Sequence, residues 1–206
     1  MKKISSLISK YALICFFFVS CTHQSFQTQL IDIHQIDPSI SLDVRYATEQ
    51  NFTGKVLYKS SRVYLIKEVA EQLVKVNQYL KDNYKLQIKI YDGYRPLSVQ
   101  KKMWEIIPDE RYVANPSKGS RHNRGCAVDL TLIDSTGNEL DMGTPYDDFT
   151  EKSHIDFKEL PEHVLNNRKI LREAMMKFGF IPLQTEWWHF DYKHWENYPV
   201  LDVEIK

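Results

Sequence analysis

The sequence has few cysteines, no excess charge of either sign and no apolar run long enough to cross a membrane. Three cysteines in 206 residues cannot build the disulfide framework of a small secreted domain. Basic and acidic residues number 27 each, and the resulting formal charge of zero argues against a protein that binds nucleic acid by neutralising phosphates. With 43% hydrophobic and 26% charged residues, the chain is neither disordered nor fibrous.

Internal repeats, low-complexity tracts and long Pro/Gly-rich linkers are also missing, so residues 30–206 are expected to form one domain. Helical periodicity or capping residues predict three helices, at 61–83, 98–107 and 166–178, the last with Gly179 at its C-cap. Alternating or apolar segments predict four strands, at 40–46, 86–91, 126–133 and 183–192. Because these elements do not alternate as regular βαβ units, the pattern favours an α+β fold.

The first 21 residues have the layout of a bacterial export signal. Lys2, Lys3 and Lys10 precede the apolar run 11–19, which is too short to span a bilayer of roughly 30 Å. The end of this segment, 18–21, resembles the lipobox of bacterial lipoproteins, although Phe18 stands where leucine is usual. We therefore expect residues 1–20 to be removed as a signal peptide, Cys21 to be acylated and residues 21–29 to form a polar tether. Ordinary signal cleavage and a buried N-terminal helix are the alternatives.

Export has consequences for the mature chain. We expect a location in the periplasm or cell envelope, with membrane contact only through the lipid on Cys21. Loss of residues 1–20 removes three lysines and no acidic residue, which leaves 24 basic against 27 acidic residues and a net charge of −3. Cys15 would leave with the signal, so Cys126 would be the only free thiol and no intramolecular disulfide could form.

Two histidines stand near carboxylates in a pattern that suits a catalytic metal site. His122 is followed by Asp129, and Glu186 precedes His189, so the chain offers two imidazoles, one carboxylate ligand and one free carboxylate. Side chains alternate along a strand, so His122 should lie before the strand that carries Asp129, and Glu186 and His189 need a bulge or bend to converge. By spacing alone, either histidine could instead be a surface or core residue, and Asp129 could cap a turn.

These residues belong to motifs that resemble a known family. Ser-x-His-x-x-Gly-x-Ala-x-Asp at 120–129 and Glu-x-Trp-His at 186–189 resemble the paired signatures of the zinc D-alanyl-D-alanine dipeptidases of the VanX type. The segment 92–96, Asp-Gly-Tyr-Arg-Pro, is similar to the arginine motif of that family. The resemblance covers roughly residues 30–200. It implies a hedgehog/DD-peptidase-like domain with a mainly antiparallel sheet flanked by helices.

The same resemblance implies a role for each motif residue. One Zn²⁺ per chain would be held by three ligands: His122, Asp129 and His189. Glu186 would be the catalytic base and Arg95 would stabilise the oxyanion. Asp147 would receive the substrate ammonium, with the neighbouring Asp148 as an alternative, and Ser120 would contact the substrate. Cys126 occupies an unspecified motif position, where we expect a buried residue and no nucleophile.

The predicted function is zinc-dependent hydrolysis of the small dipeptide D-Ala-D-Ala in cell-wall peptide turnover. A D,D-carboxypeptidase or endopeptidase acting on peptidoglycan stem peptides is the alternative within the same chemistry. A metal-bearing binding module without catalysis is a third hypothesis, which the presence of Glu186 and Arg95 argues against. Resistance dipeptidases of this family act in the cytoplasm, so an exported chain favours recovery of D-alanine over a resistance role.

Overall fold

The described part of the chain, residues 29–206 of a computed structural model, folds around a five-stranded sheet. The expected signal peptide, Cys21 and most of the tether lie outside the described residues. The strands are β1 (Leu30–Asp32), β2 (Ser41–Leu42), β3 (Tyr64–Ile66), β4 (Gln87–Asp92), β5 (Ala127–Ile133), β6 (Phe180–Leu183) and β7 (Glu186–Tyr192). The helices are α1 (Lys67–Tyr84), α2 (Leu97–Ile106) and α3 (Glu162–Lys177).

The topology of the larger sheet puts β5 at its centre. The strand order is β2-β4-β5-β7-β6, and only the short β2 runs parallel to its neighbour. Strands β1 and β3 form a separate antiparallel pair. All seven residues of β5 are buried, so both faces of the central strand are covered. The expected α+β domain with a mainly antiparallel sheet is confirmed.

Helices α1 and α3 pack against the sheet through apolar stripes. In α1, four apolar residues that repeat at 3-4 spacing in the sequence are fully buried: Val69, Leu73, Val76 and Leu80. Helix α1 contacts β4 and α3, and α3 contacts β5, β6 and β7. Burial of one such aliphatic side chain is worth about 1.5–3 kcal/mol, so these two stripes fix the helices on the sheet.

Several predicted boundaries were wrong, and the cause is pairing between distant strands. The first helix begins at Lys67 and not at residue 61, because Tyr64–Ile66 pairs with β1. Only two residues of the predicted strand 40–46 pair in the sheet, since Arg45–Ala47 forms a 3-10 turn.

The C-terminal elements also differ from the prediction. Helix α3 begins at Glu162, four residues before the predicted start, and Phe178 occupies the C-cap. Gly179 follows it with a positive φ of 88°. The single strand predicted at 183–192 is a hairpin of β6 and β7. Within residues 29–206, no helix combines the length and apolar character that a membrane crossing requires.

Candidate metal centre and active-site cleft

Three neighbouring strands bring acidic and imidazole side chains into one row across the sheet. In the register, Asp129 on β5 faces Asp92 on β4 and His189 on β7. An irregularity in β4 between Ile90 and Asp92 shifts the pairing by one residue. Asp92, Asp129 and His189 are all buried. The central part of the sheet thus concentrates polar groups that are costly to bury without partners.

His122 reaches this row from the turn that precedes β5, as the parity of the sequence predicted. It begins the 3-10 turn His122–Arg124, and the chain then enters β5 through Gly125. Gly125 has a φ of 66°, and a Cβ atom there would lie 2.8 Å from Leu30 Cδ2 and 3.1 Å from the backbone nitrogen of Ile66. Glycine is therefore required at this point, both for the left-handed backbone and for the close approach.

The ligand atoms of His122, Asp129 and His189 form a compact triangle. His122 Nε2 lies 3.2 Å from His189 Nδ1 and 3.4 Å from Asp129 Oδ1, and the third side, from His189 Nδ1 to Asp129 Oδ1, is 2.9 Å. Tetrahedral zinc with bonds of about 2.0–2.1 Å places its ligands roughly 3.3 Å apart. The triangle therefore matches one face of a zinc site, and the three residues predicted as ligands are brought together.

In each imidazole, the nitrogen that is not part of the triangle lies against a hydrogen-bond acceptor. The nitrogen in the triangle is therefore left to face a metal. His122 Nδ1 lies 2.7 Å from the carbonyl oxygen of Gly93, and His189 Nε2 lies 2.9 Å from Asp191 Oδ1. Such contacts fix the tautomer and orientation of histidine ligands. Although burial opposes ionisation, the two imidazoles hold the pKa of Asp129 below its usual range. Two imidazole nitrogens and one carboxylate oxygen are a donor set that suits Zn²⁺.

Glu186 opens β7 beside this triangle. The register between β6 and β7 shifts between Pro182 and Leu183, which provides the irregularity that the three-residue spacing of Glu186 and His189 required. Glu186 Oε2 lies 3.9 Å from His189 Nδ1, the predicted metal-facing atom. Burial raises the pKa of Glu186 to about 7, while His189 opposes the rise. A dication in the triangle would favour the ionised carboxylate, the form that can accept a proton.

Arg95 projects into the cleft from the segment after β4 and is held by a buried carboxylate. Its Nε and Nη2 donate to Asp92 Oδ2 at 3.1 and 2.7 Å, and Nη1 donates to Gln100 Oε1 at 2.9 Å. The guanidinium carbon also lies 5.1 Å from the centre of the Tyr46 ring. Guanidinium carries five N–H donors, so two remain for a ligand in the cleft that Arg95 lines.

The structure separates the two carboxylates that the sequence left as alternatives. Asp147 lines the cleft with a left-handed φ of 62°, and Tyr46 OH donates to its two oxygens at 3.1 and 3.3 Å. Burial and the nearby Asp129 raise the pKa of Asp147 well above its usual range. Asp148 instead accepts the backbone N–H of Thr150 at 2.9 Å. Asp147 is thus the one placed to meet a cationic ligand.

Ser120 and Cys126 lie on either side of the His122 turn. Ser120 lines the cleft, and its Oγ accepts the backbone N–H of His122 at 3.2 Å. The Cys126 side chain is buried, and its thiol donates to the carbonyl oxygen of Arg124. Burial raises the pKa of Cys126 to about 12, so the thiol stays protonated and the expected buried position is confirmed.

The cleft that these residues line has a volume of about 310 Å³, at the small end of ligand sites. Sequence reasoning missed three polar groups around it: Tyr46, Tyr146 and Asp191. Asp191 could have been found, since it lies two residues after His189 and therefore on the same face of the strand. The two tyrosines contact residues about 100 and 17 positions away, which no local pattern reveals.

Comparisons with known proteins agree with the motifs. A model of the peptidase M15 family, described as D-Ala-D-Ala dipeptidase, matches residues 26–201. A D-alanyl-D-alanine dipeptidase of Escherichia coli (strain K12) is 38% identical over 84% of this chain and 90% of its own length. One from Enterococcus faecium is 33% identical over 84% of this chain and 96% of its own. Among solved structures, VanYB in complex with D-alanine-D-alanine is 19% identical, with a TM-score of 0.45 over 68% of this chain and 77% of its own.

Proposed function

Because the chain belongs to the D-Ala-D-Ala dipeptidase family, we propose that its cleft hydrolyses the dipeptide D-Ala-D-Ala to two molecules of D-alanine, with the roles given below. The observation that carries this proposal is the ligand triangle of His122, Asp129 and His189, in a cleft that Glu186 and Asp147 also line. His122, Asp129 and His189 would hold one Zn²⁺ per chain.

Glu186 moves the proton in this reaction. When bound, zinc supplies a Lewis acid that lowers the pKa of a water molecule toward about 7 and polarises a carbonyl group. Oε2 of Glu186 accepts the proton of the attacking water and then donates it to the nitrogen of the leaving D-alanine. It lies 3.9 Å from His189 Nδ1, so the carboxylate would stand beside a metal held by His122, Asp129 and His189.

Arg95 stabilises the negative charge that develops on the carbonyl oxygen. Its contacts with Asp92 and Gln100 fix the guanidinium before substrate arrives, so little reorganisation is needed during the reaction. Two N–H groups remain to donate to the oxygen. A fixed donor of this kind is worth about 10²–10³ in rate in known hydrolases.

Asp147 selects a substrate with a free amino group. Its carboxylate lies in a half-buried position, oriented by the Tyr46 hydroxyl, where an ammonium ion would be the natural partner. Ser120, on the wall of the same cleft, contacts the substrate near the metal. Since the cleft is small and the Asp147 carboxylate lines it, a short dipeptide with a free amino group fits and a longer acylated chain does not.

Substrate comparison tests this function directly. D-Ala-D-Ala and an N-acylated tripeptide ending in D-Ala-D-Ala are incubated with zinc-loaded protein, and release of D-alanine is measured. We expect rapid cleavage of the dipeptide and little cleavage of the blocked peptide. Equal rates would overturn the dipeptidase assignment in favour of a D,D-carboxypeptidase or endopeptidase, and hydrolysis of neither would argue for a binding protein.

We further propose that the protein is exported and anchored through a lipid on Cys21, where it recovers D-alanine from wall-derived peptides. The basic start, the apolar run and the lipobox-like end of residues 1–21 support this location. Cell fractionation and mass analysis of the mature N-terminus test it. A diacylated Cys21 in the membrane fraction is the expected result, whereas an intact Met1 in the cytosol would contradict export.

A further inference from the structure

A hydroxyl group that the proposed reaction does not use lies on the metal ligand Asp129. Tyr146 OH donates to Asp129 Oδ2 at 2.9 Å, while Asp129 Oδ1 faces the two imidazole nitrogens. The two oxygens of this carboxylate thus have different partners, one the phenol and the other the metal position. Tyr146 and Asp129 lie on separate segments, so this contact joins the loop before α3 to the central strand.

The backbone and the surrounding rings hold Tyr146 in this position. Asp147 has a left-handed φ of 62°, which is a costly conformation. Its side chain lines the cleft, and the side chain of the preceding Tyr146 reaches Asp129. The Tyr146 ring lies 4.7 Å from the Tyr91 ring, 5.5 Å from Trp188 and 6.3 Å from Tyr46, measured between centroids. With three aromatic neighbours, the ring has little freedom to turn its hydroxyl away.

Proton counting shows which contact the hydroxyl makes. A phenol has one proton to donate, and Tyr146 OH lies 2.9 Å from Asp129 Oδ2 but 3.4 Å from Tyr46 OH. The Tyr46 proton is itself directed to Asp147. The shorter, charge-assisted bond to Asp129 is therefore the one that Tyr146 makes, and it occupies the carboxylate oxygen that would otherwise be free to approach a metal.

We propose that Tyr146 is a positioning residue that holds Asp129 as a single-oxygen metal ligand and thereby sets the affinity of the site for zinc. The inference rests on the proposed zinc-dependent function. It assigns a role in that function to a residue that is not itself a metal ligand. Partners of metal ligands typically change metal affinity by 10–100-fold when removed. Without the hydroxyl, Asp129 Oδ2 has no other hydrogen-bond donor among residues 29–206, and the carboxylate can rotate.

The test compares Tyr146→Phe with Tyr91→Phe. Both variants remove a phenol oxygen from the same aromatic cluster, but Tyr91 OH donates to Glu139 Oε2 at 2.8 Å, outside the cleft. The dissociation constant for Zn²⁺ is measured by competition with a chromogenic chelator, and the visible spectrum of the Co²⁺-substituted protein reports the coordination. Circular dichroism and thermal unfolding of the zinc-free proteins show whether the variants fold.

We expect Tyr146→Phe to weaken zinc binding by at least tenfold and to change the Co²⁺ spectrum, and Tyr91→Phe to leave both unchanged. A dissociation constant for Tyr146→Phe within twofold of the unsubstituted protein, with an unchanged spectrum, would overturn the proposal. Equal weakening in both variants would also overturn it, since ring-cluster packing would then be the cause.

Two further measurements keep the outcome clear. If zinc-free Tyr146→Phe does not fold, the rate of zinc release from loaded protein into excess chelator replaces the equilibrium measurement; faster release than from Tyr91→Phe supports the proposal and an equal rate overturns it. If the unsubstituted protein binds no zinc, the proposed function itself fails. Normal zinc binding and activity in the unsubstituted protein, with no effect of Tyr146→Phe, would refute only the role of Tyr146.

Discussion

Replacement of Asp147 by asparagine should lower activity and raise stability at the same time. The change keeps the shape of the side chain and an oxygen that can accept the hydrogen bond from the Tyr46 hydroxyl, but it removes the negative charge. In the free protein this charge is unfavourable, because burial and Asp129 raise the pKa of Asp147. In the complex it is needed, because the proposed partner is an ammonium ion. The two effects therefore have opposite signs.

The loss of activity follows from removal of one partner of a desolvated charge pair. Such truncations cost about 2–5 kcal/mol, which corresponds to roughly 30-fold to several thousand-fold in kcat/KM for D-Ala-D-Ala. The N-acetylated dipeptide has no ammonium group, so its slow hydrolysis should be almost unchanged. The preference of the enzyme for the free dipeptide over the acetylated one should consequently shrink by the same factor.

The gain in stability has a defined dependence on pH. A carboxyl group whose pKa is higher in the folded state than its usual 3.8 makes the folded protein less stable as the pH rises above that value. At pH 7, Asp147→Asn should therefore raise the free energy of unfolding by about 1 kcal/mol, a gain that is common when a residue kept for function at the expense of stability is replaced. The gain should decrease as the pH falls toward 3.8, because the carboxyl group of Asp147 is then protonated in the unfolded chain as well as in the folded protein.

Asp148→Asn is the matched control. The neighbouring carboxylate accepts the N–H of Thr150 at the surface, so its replacement should leave kcat/KM for both substrates within about twofold. Steady-state kinetics on the two dipeptides and urea unfolding at pH 7 and pH 4.5 cover all of these expectations. Equal hydrolysis of the free dipeptide by Asp147→Asn and the unsubstituted enzyme would refute the ammonium assignment. A fall in both activity and stability would show that Asp147 has a structural role.

Three further substitutions test other parts of the site. Glu186→Gln should retain one zinc per chain and lower kcat by a factor of about 10²–10⁴, because the amide cannot accept the proton. Metal analysis and steady-state kinetics check this. Loss of zinc in the variant would indicate that Glu186 is a metal ligand. Arg95→Lys should lower kcat by a factor of about 10²–10³ with little change in KM, since lysine cannot form the forked contact with Asp92. An unchanged kcat would exclude stabilisation of the oxyanion by Arg95. Gly125→Ala should lower the free energy of unfolding in urea by at least about 1–2 kcal/mol, because the residue has a positive φ and the new methyl group would lie 2.8 Å from Leu30 Cδ2. A decrease below about 0.5 kcal/mol would contradict this account.

Local patterns in the sequence predicted those structural features that are determined by residues close together along the chain. The buried stripe of α1 follows from helical spacing, and the position of His122 before β5 follows from strand parity. Pairing between distant segments could not be predicted in this way. Ile66 fits the helical stripe by spacing but lies in β3, because it pairs with Leu30 thirty-six positions earlier. The contact between Tyr46 and Asp147 is likewise made by tertiary packing, and no motif marks it.

The charges of the cleft explain why a metal and a free amino group belong to the same site. When ionised, as a bound dication and an ammonium ion would favour, Asp129, Asp147 and Glu186 contribute −3. Arg95 cancels Asp92 at the end of β4, and Arg121 cancels Asp191. A Zn²⁺ ion and a substrate ammonium supply +2 and +1, so the sum at this end of the complex is zero. An acylated substrate would leave the Asp147 carboxylate in the cleft without a positively charged partner, which is costly.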